Sequence, residues 1–231
     1  MLLVDLIYPR RCVVCDEVLS PGRLVCACCG PKLGVIKGPR CYKCGKNLPD
    51  DNMEYCSDCR EKRHVYDAGA ALYDYPSISK SIYKFKYSNR PEYSKYLGIE
   101  MAKHLGPRIL SWNPDLIIPV PLHKSKIQKR GYNQAALLAK EVARCLDIPY
   151  SDKLVERRLK TTPMKELTAS ERQINLKNAF IVRVNDVKLN KVVIVDDIYT
   201  TGSTIDAIAS ELKEAGVKKV FFIALSIGTG I

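Results

Sequence analysis

Asp196 and Asp197 stand side by side, and Thr200-Thr201-Gly202-Ser203-Thr204 follows almost at once. That order of residue types suits capture of a sugar phosphate. A glycine lets the backbone approach an anion closely, successive N–H groups at a helix amino terminus point at it, and the hydroxyls of Thr200, Thr201, Ser203 and Thr204 add donors. The two carboxylates upstream would repel a phosphate placed on them, but they match vicinal ribose hydroxyls or a magnesium ion held through water. The motif thus has a phosphate end and a sugar end. A strand that merely stops at Asp-Asp before a capped helix would explain each residue separately. It would not explain the pair, the Thr-Thr-Gly and the apolar run before them together.

These groups need a rigid base, and Val192-Val193-Ile194-Val195 supplies one. A β-branched run without alternation is how a strand buried on both faces of a parallel sheet appears, so this strand is expected to be central and to stop at Asp196. A helical pattern follows from Ser203 to Ala215, and the apolar stretch Lys218 to Ser226 completes a βαβ step. By the same logic Asp115 to Pro119 is a second buried parallel strand, whose following loop, Leu122 to Asn133, faces the same rim. That loop carries His123, Lys124, Lys126, Lys129 and Arg130, and Gly131-Tyr132-Asn133-Gln134 opens a helix through Ala143. Arg130 is placed to grip a phosphate in a bidentate fashion, since open α/β sheets bind ligands at the carboxyl ends of their strands. Upstream, His64 to Pro76 gives an edge strand or a hairpin. Ile78, Ile82, Tyr83 and Phe85 mark a short helix, Lys84 to Arg90 a basic turn, and Pro91 the start of a second helix. His64, His104 and His123 read as ordinary surface or turn residues, and Cys145 as a core residue of its helix.

Nine of the ten cysteines lie between Cys12 and Cys59. Four C-x-x-C pairs recur at steps of about fifteen residues: Cys12/Cys15, Cys26/Cys29, Cys41/Cys44 and Cys56/Cys59. Each pair presents two thiolates to one metal, and two such knuckles complete a tetrahedral zinc site with no position left open for catalysis. Four pairs on a short, core-poor segment favour structural metal over redox dithiols. Consecutive pairing gives one zinc on Cys12, Cys15, Cys26 and Cys29 and a second on Cys41, Cys44, Cys56 and Cys59. Spacing alone also admits interleaved pairing, and Cys28 competes with Cys26 for a place beside Cys29. The chain is expected to divide into a cysteine-rich unit at residues 1–64 and an α/β unit at 65–231, with the second able to survive without the first.

No apolar run approaches the roughly 20 residues a membrane span needs. The opening MLLVDLIYP has neither a basic start nor a small-residue cleavage site, so a soluble, cytoplasmic protein is expected. Net charge is +12, which favours anionic partners, and Leu122 to Asn178 holds 13 Lys or Arg against 6 Asp or Glu.

The stretch from Lys191 to Thr204 resembles the ribose-5-phosphate loop of type I phosphoribosyltransferases, which bind phosphoribosyl pyrophosphate with magnesium. PVPLHKSKIQKRGYNQ resembles the PVP-x-RGYNQ stretch of the ComF family, in which an amino-terminal zinc ribbon precedes a phosphoribosyltransferase domain. Arg157 to Pro163, then Leu167, Arg172, Asn175, Ala179 and Phe180, resemble that family's flexible loop and the strand after it. Met164 stands where the family has a glutamine. The resemblance implies a parallel-sheet α/β phosphoribosyltransferase fold behind a double zinc ribbon. It also implies a role in natural transformation: handling of incoming single-stranded DNA beside a helicase-like competence ATPase. Asp196, Asp197 and Arg130 would then act with magnesium by positioning and charge stabilisation, without a covalent nucleophile. Turnover on a nitrogen acceptor is the alternative. Tyr83, Lys84, Lys86, Tyr87, Arg90 and Tyr93 interleave rings and cations as a strand-binding surface would.

Overall fold

The computed structural model describes residues 9–20, 22–30, 33–158, 179–183 and 188–228. The stretch 159–178, on which most of the flexible-loop resemblance and Met164 fall, lies outside them. In chain order the regular elements are α1 (Ser57–Glu61), β1 (Ala68–Asp74), α2 (Tyr75–Tyr87), α3 (Tyr93–Trp112), β2 (Leu116–Pro119), α4 (Lys124–Arg130) and α5 (Gln134–Leu146). They continue as β3 (Val155–Arg157), β4 (Phe180–Val182), β5 (Lys191–Tyr199), α6 (Ser203–Glu214) and β6 (Lys219–Ile227). Four strands form a parallel sheet in the order β1-β6-β5-β2, while β3 and β4 pair antiparallel beside it. β5 is central, as its unbroken β-branched run requires.

Period-two alternation in β5 feeds two cores. Val192 and Ile194 join Ile118, Phe222 and the α6 residues Ile205, Ile208 and Leu212 on one face. Val193 and Val195 join Ile117, Ile223 and residues of α2, α3 and α5 on the other. The sheet is therefore a middle layer between helices.

The second cysteine group belongs to the first of these cores, because Cys41, Cys44 and Cys56 are buried in one cluster with Ile194 and Phe222. The two units expected to be separable share a core here. The cysteine segment also covers the sheet's open edge: β1 is an edge strand rather than a hairpin, Gly69 N–H donates to Lys43 O at 2.7 Å and Ile36 N–H to Leu72 O at 2.9 Å. An uncovered edge would invite pairing with another chain. Gly45 makes this docking possible. Its φ is +76°, and a Cβ there would lie 2.7 Å from Ala70 Cα.

The first cysteine group reaches the other face through Asp16. Its carboxylate accepts Arg90 Nε–H at 3.1 Å and the Tyr93 hydroxyl at 2.6 Å, and Lys84 Nζ lies 3.5 Å away. Asp16→Asn retains a residue tolerant of the left-handed backbone found there (φ 68°) but removes the charge. We expect it to cost about 1–3 kcal/mol in urea unfolding, as for hydrogen bonds to a charged group. A loss too small to measure would show that this anchor contributes nothing.

Three local expectations need correction. The stretch 122–133 is not a loop throughout: α4 occupies Lys124–Arg130, started by His123 Nδ1 accepting Ser125 N–H and ended by Gly131 at φ 83°. The turn from Lys84 is largely helical, since α2 runs to Tyr87. Cys145 is exposed, not buried, because it falls on the outer side of α5 beside Arg144 and Glu141.

Candidate functional site

β5 does not stop at the carboxylates. It runs on to Tyr199, with Asp196 opposite Ala224 and Ile198 opposite Ser226. What changes at Asp196-Asp197 is the alternation. Val192, Ile194 and Tyr199 lie in one core, whereas Val193, Val195 and Ile198 lie against the other, so the side-chain pattern slips by one residue at the acidic pair. Asp197 N–H donates to Asp196 Oδ1 at 2.8 Å, and Asp197 Oδ2 accepts Lys86 Nζ at 2.6 Å. Burial, then the adjacent Asp197 charge, pushes the Asp196 carboxyl well above the ordinary carboxylate range, against the pull of Lys86. A cation or a hydroxyl donor placed there would relieve that cost.

Four cations from three elements surround the pair: Lys86 from α2, Lys126 and Arg130 from α4, and Arg157 from β3. Loss of hydration, followed by the like charges of Arg157, Arg130 and Lys86, lowers the Lys126 pKa, while Asp197 opposes the shift. Burial likewise lowers that of Arg157, with Asp196 opposing. Positive charge therefore exceeds what the two carboxylates neutralise, which is the electrostatics a polyphosphate requires. Arg130 Nη1 donates to Gln134 Oε1 at 2.6 Å, and its guanidinium lies 5.1 Å from the Tyr87 ring centroid.

The hydroxyl-rich turn leads into α6, with Gly202 as N-cap at φ 75°. Thr201 Oγ1 and Ser203 Oγ are 3.0 Å apart. A Cβ on Gly202 would lie 2.6 Å from the Tyr199 hydroxyl and 2.9 Å from His64 Cε1. His64 is thus not a surface histidine. Its side chain is 1% exposed, and Nδ1 donates to Asp206 Oδ2 at 2.8 Å. The sequence-based site therefore gains Lys62, His64, Lys86, Arg157 and Asp206. Lys86 falls in the basic turn and Arg157 in the loop resemblance, His64 reads from sequence as an ordinary surface or turn residue, and nothing local marks Lys62 or Asp206 as part of a site.

The eight paired cysteines collect as Cys12, Cys15, Cys26 and Cys29, and as Cys41, Cys44, Cys56 and Cys59, with the sulfurs of each group within 4.8 Å of one another. Pairing is consecutive, and Cys28 stands outside, exposed. Sulfur separations of 3.7 Å for Cys12–Cys26, 3.8 Å for Cys15–Cys26 and 3.6 Å for Cys44–Cys56 match the roughly 3.8 Å edge of a tetrahedron with Zn–S bonds of about 2.3 Å. The donor sets fit structural zinc.

Residues 3–60 match the family model for a double zinc ribbon domain, and residues 132–227 that for a phosphoribosyl transferase domain. Competence protein F of Haemophilus influenzae is 34% identical over 219 residues, spanning 91% of this chain and 93% of that protein. The chain belongs to the ComF family. Other similar ComF relatives are the DNA utilization protein YhgH of Escherichia coli K12, 30% identical over 93% of this chain and 96% of that one, and competence protein ComFC of Bacillus subtilis, 27% identical over 91% of each. Among solved structures, a purine phosphoribosyltransferase from Pyrococcus horikoshii matches 57% of this chain and 73% of its own at 19% identity and a TM-score of 0.36, too distant a likeness to speak to function. The ComF fold is thus a parallel-sheet α/β phosphoribosyltransferase domain behind a double zinc ribbon holding two tetracysteine sites. No helix among the described residues is long and apolar enough to cross a membrane.

Proposed function

We propose that this chain binds phosphoribosyl pyrophosphate with magnesium at the carboxyl end of β5 and serves DNA uptake in the cytoplasm, handling incoming single strands with a helicase-like ATPase as partner. The observation that carries the ligand is the acidic pair at the slip in β5, flanked by Lys86, Lys126, Arg130 and Arg157 and followed by the Gly202 loop. Asp196 and Asp197 would hold the ribose hydroxyls or the ion's water shell. Thr200, Thr201, Gly202, Ser203 and Thr204 would take the 5-phosphate, and Arg130 the pyrophosphate. Magnesium would supply charge neutralisation to the pyrophosphate. On this reading the chain divides into residues 1–64 and 65–231, with the zinc ribbon packed on the transferase-like unit.

The DNA role is supported by relatives named for competence and DNA utilization and by one surface. Tyr83 and Tyr87 on α2 are each 63% exposed, with ring centroids 5.1 Å apart and Arg130 beside Tyr87. Two open rings and a cation make a stacking platform for bases. Lys84, Arg90 and Tyr93 drop out of the surface expected from sequence, because they hold Asp16. We expect single-stranded DNA to bind weakly and without sequence preference, with affinity falling steeply as salt rises. Tyr83→Ala/Tyr87→Ala should weaken it by about 2–6 kcal/mol at constant salt if both rings stack, at 1–3 kcal/mol per base. Fluorescence anisotropy checks this, and unchanged affinity in the double variant would remove the platform. Charge reversal at Lys124, Lys126 and Lys129 should also weaken DNA. Pyrophosphate release with a panel of bases and amines would favour the second reading, an active phosphoribosyltransferase on a nitrogen acceptor.

A further inference from the structure

The segment leaving the second cysteine group, Lys62 to Asp67, is fastened along the whole of α6. At the helix start, His64 Nδ1 donates to Asp206 Oδ2 at 2.8 Å, Val65 N–H donates to Asp206 Oδ1 at 2.8 Å, and Lys62 Nζ lies 3.4 Å from Asp206 Oδ2. At the helix end, Lys213 Nζ donates to Val65 O at 2.7 Å and lies 3.1 Å from Asp67. Lys62 also reaches the ligand loop itself, with Nζ 3.5 Å from both Thr201 O and Ser203 Oγ. Its side chain is 37% exposed, so Lys62 is not closed off from solvent.

His64 shapes the loop from behind. The ring is stacked on Tyr66 with centroids 4.8 Å apart, and the Tyr66 hydroxyl is 2.7 Å from that of Tyr199. Its Cε1 edge fills the space that a side chain on Gly202 would need. Because a carboxylate only accepts, Nδ1 carries the proton, and Nε2 is left buried without a hydrogen bond among the described residues. A buried polar atom without a partner is costly, and here it is held where the ring supports the turn.

We propose that Lys62 is an anion-binding residue and His64 a positioning residue of the Thr200–Thr204 loop, so that the zinc ribbon forms one wall of the sugar-phosphate site. Of the four thiolates gathered at this group, Cys56 is the N-cap of α1 and Cys59 lies within the helix, while Lys62 is its C-cap, with its N–H donating to Asp58 O at 2.9 Å. Metal at this group therefore fixes the segment from which both residues project. Coupling between two sites is reciprocal, so a ligand on the loop must also hold the metal more tightly. The inference rests on reading that loop as an anion site.

The test uses the full-length, zinc-loaded chain with two probes, ribose 5-phosphate and inorganic pyrophosphate, each with magnesium. Lys62→Ala should weaken ribose 5-phosphate about tenfold, in line with a lost charge-assisted bond, and leave pyrophosphate within about twofold. His64→Gln should do the same, with both zinc ions retained. Saturating ribose 5-phosphate should slow one of the two zinc phases released by a chelator in wild type, and Lys62→Ala should abolish that protection. If His64→Gln fails to fold, the zinc-release comparison in wild type and Lys62→Ala decides. Wild-type affinity in Lys62→Ala, equal loss of both probes, or unprotected zinc in a chain that binds ribose 5-phosphate would each overturn the proposal. A wild-type chain that binds neither probe would instead refute the anion-site reading beneath it.

Discussion

Cys44→Ser is expected to release one of two zinc ions and to unfold the sheet together with the ribbon. Cys44 is 1% exposed and lies in one cluster with Ile118, Ile194 and Phe222, so losing its metal opens the core of the transferase domain. Structural zinc supplies apparent binding free energies of about 10–16 kcal/mol, which is as large as the net stability of an ordinary domain, about 5–15 kcal/mol. Cys15→Ser should behave differently. Cys15 is exposed, and Cys12 and Cys29 of its group form a small cluster with Leu19 apart from both main cores. It too should lose one zinc, but the far-ultraviolet melting transition of the sheet should remain. Metal analysis with circular dichroism checks both variants. A Cys44→Ser chain melting like wild type would show that ribbon and sheet are independent.

Asp197→Asn is expected to weaken phosphoribosyl pyrophosphate by about 1–3 kcal/mol, the usual loss for a charge-assisted hydrogen bond, and Asp196→Asn by a similar amount. Stability separates lost contacts from misfolding. Burial, then the adjacent Asp197 charge, raises the Asp196 pKa, so its charge costs more in the fold than in the unfolded chain. A neutral amide removes that cost while Oδ1 can still accept the Asp197 N–H. Asp196→Asn should therefore melt no lower than wild type. Arg130→Ala should weaken pyrophosphate-bearing ligands more than ribose 5-phosphate. Equal losses on both would remove Arg130 from the pyrophosphate end.

The parallel sheet was legible because Val192 to Val195 and Leu116 to Ile118 are apolar without alternation, and few other arrangements bury both faces of a strand. Both zinc groups were legible from the spacing, although consecutive pairing and the exclusion of Cys28 needed the sulfur positions. The slip in β5 was not legible. Alternation past Asp196 is decided by how Ile198 and Tyr199 meet opposite cores, which is a tertiary choice. His64 was misread for a similar reason: its partner, Asp206, is 142 residues away, and nothing local marks the contact. The basic surface was overread. Lys84 and Arg90 look like free cations in the sequence, but they close on an aspartate in the first knuckle.

The most direct test of the ligand site is a calorimetric titration of phosphoribosyl pyrophosphate into the full-length, zinc-loaded chain, with and without magnesium. We predict saturable binding of one molecule per chain that weakens when magnesium is withdrawn and when Asp197 is asparagine. Absence of binding at millimolar ligand, or affinity indifferent to both magnesium and Asp197, would contradict the assignment of the β5 rim as a sugar-phosphate site.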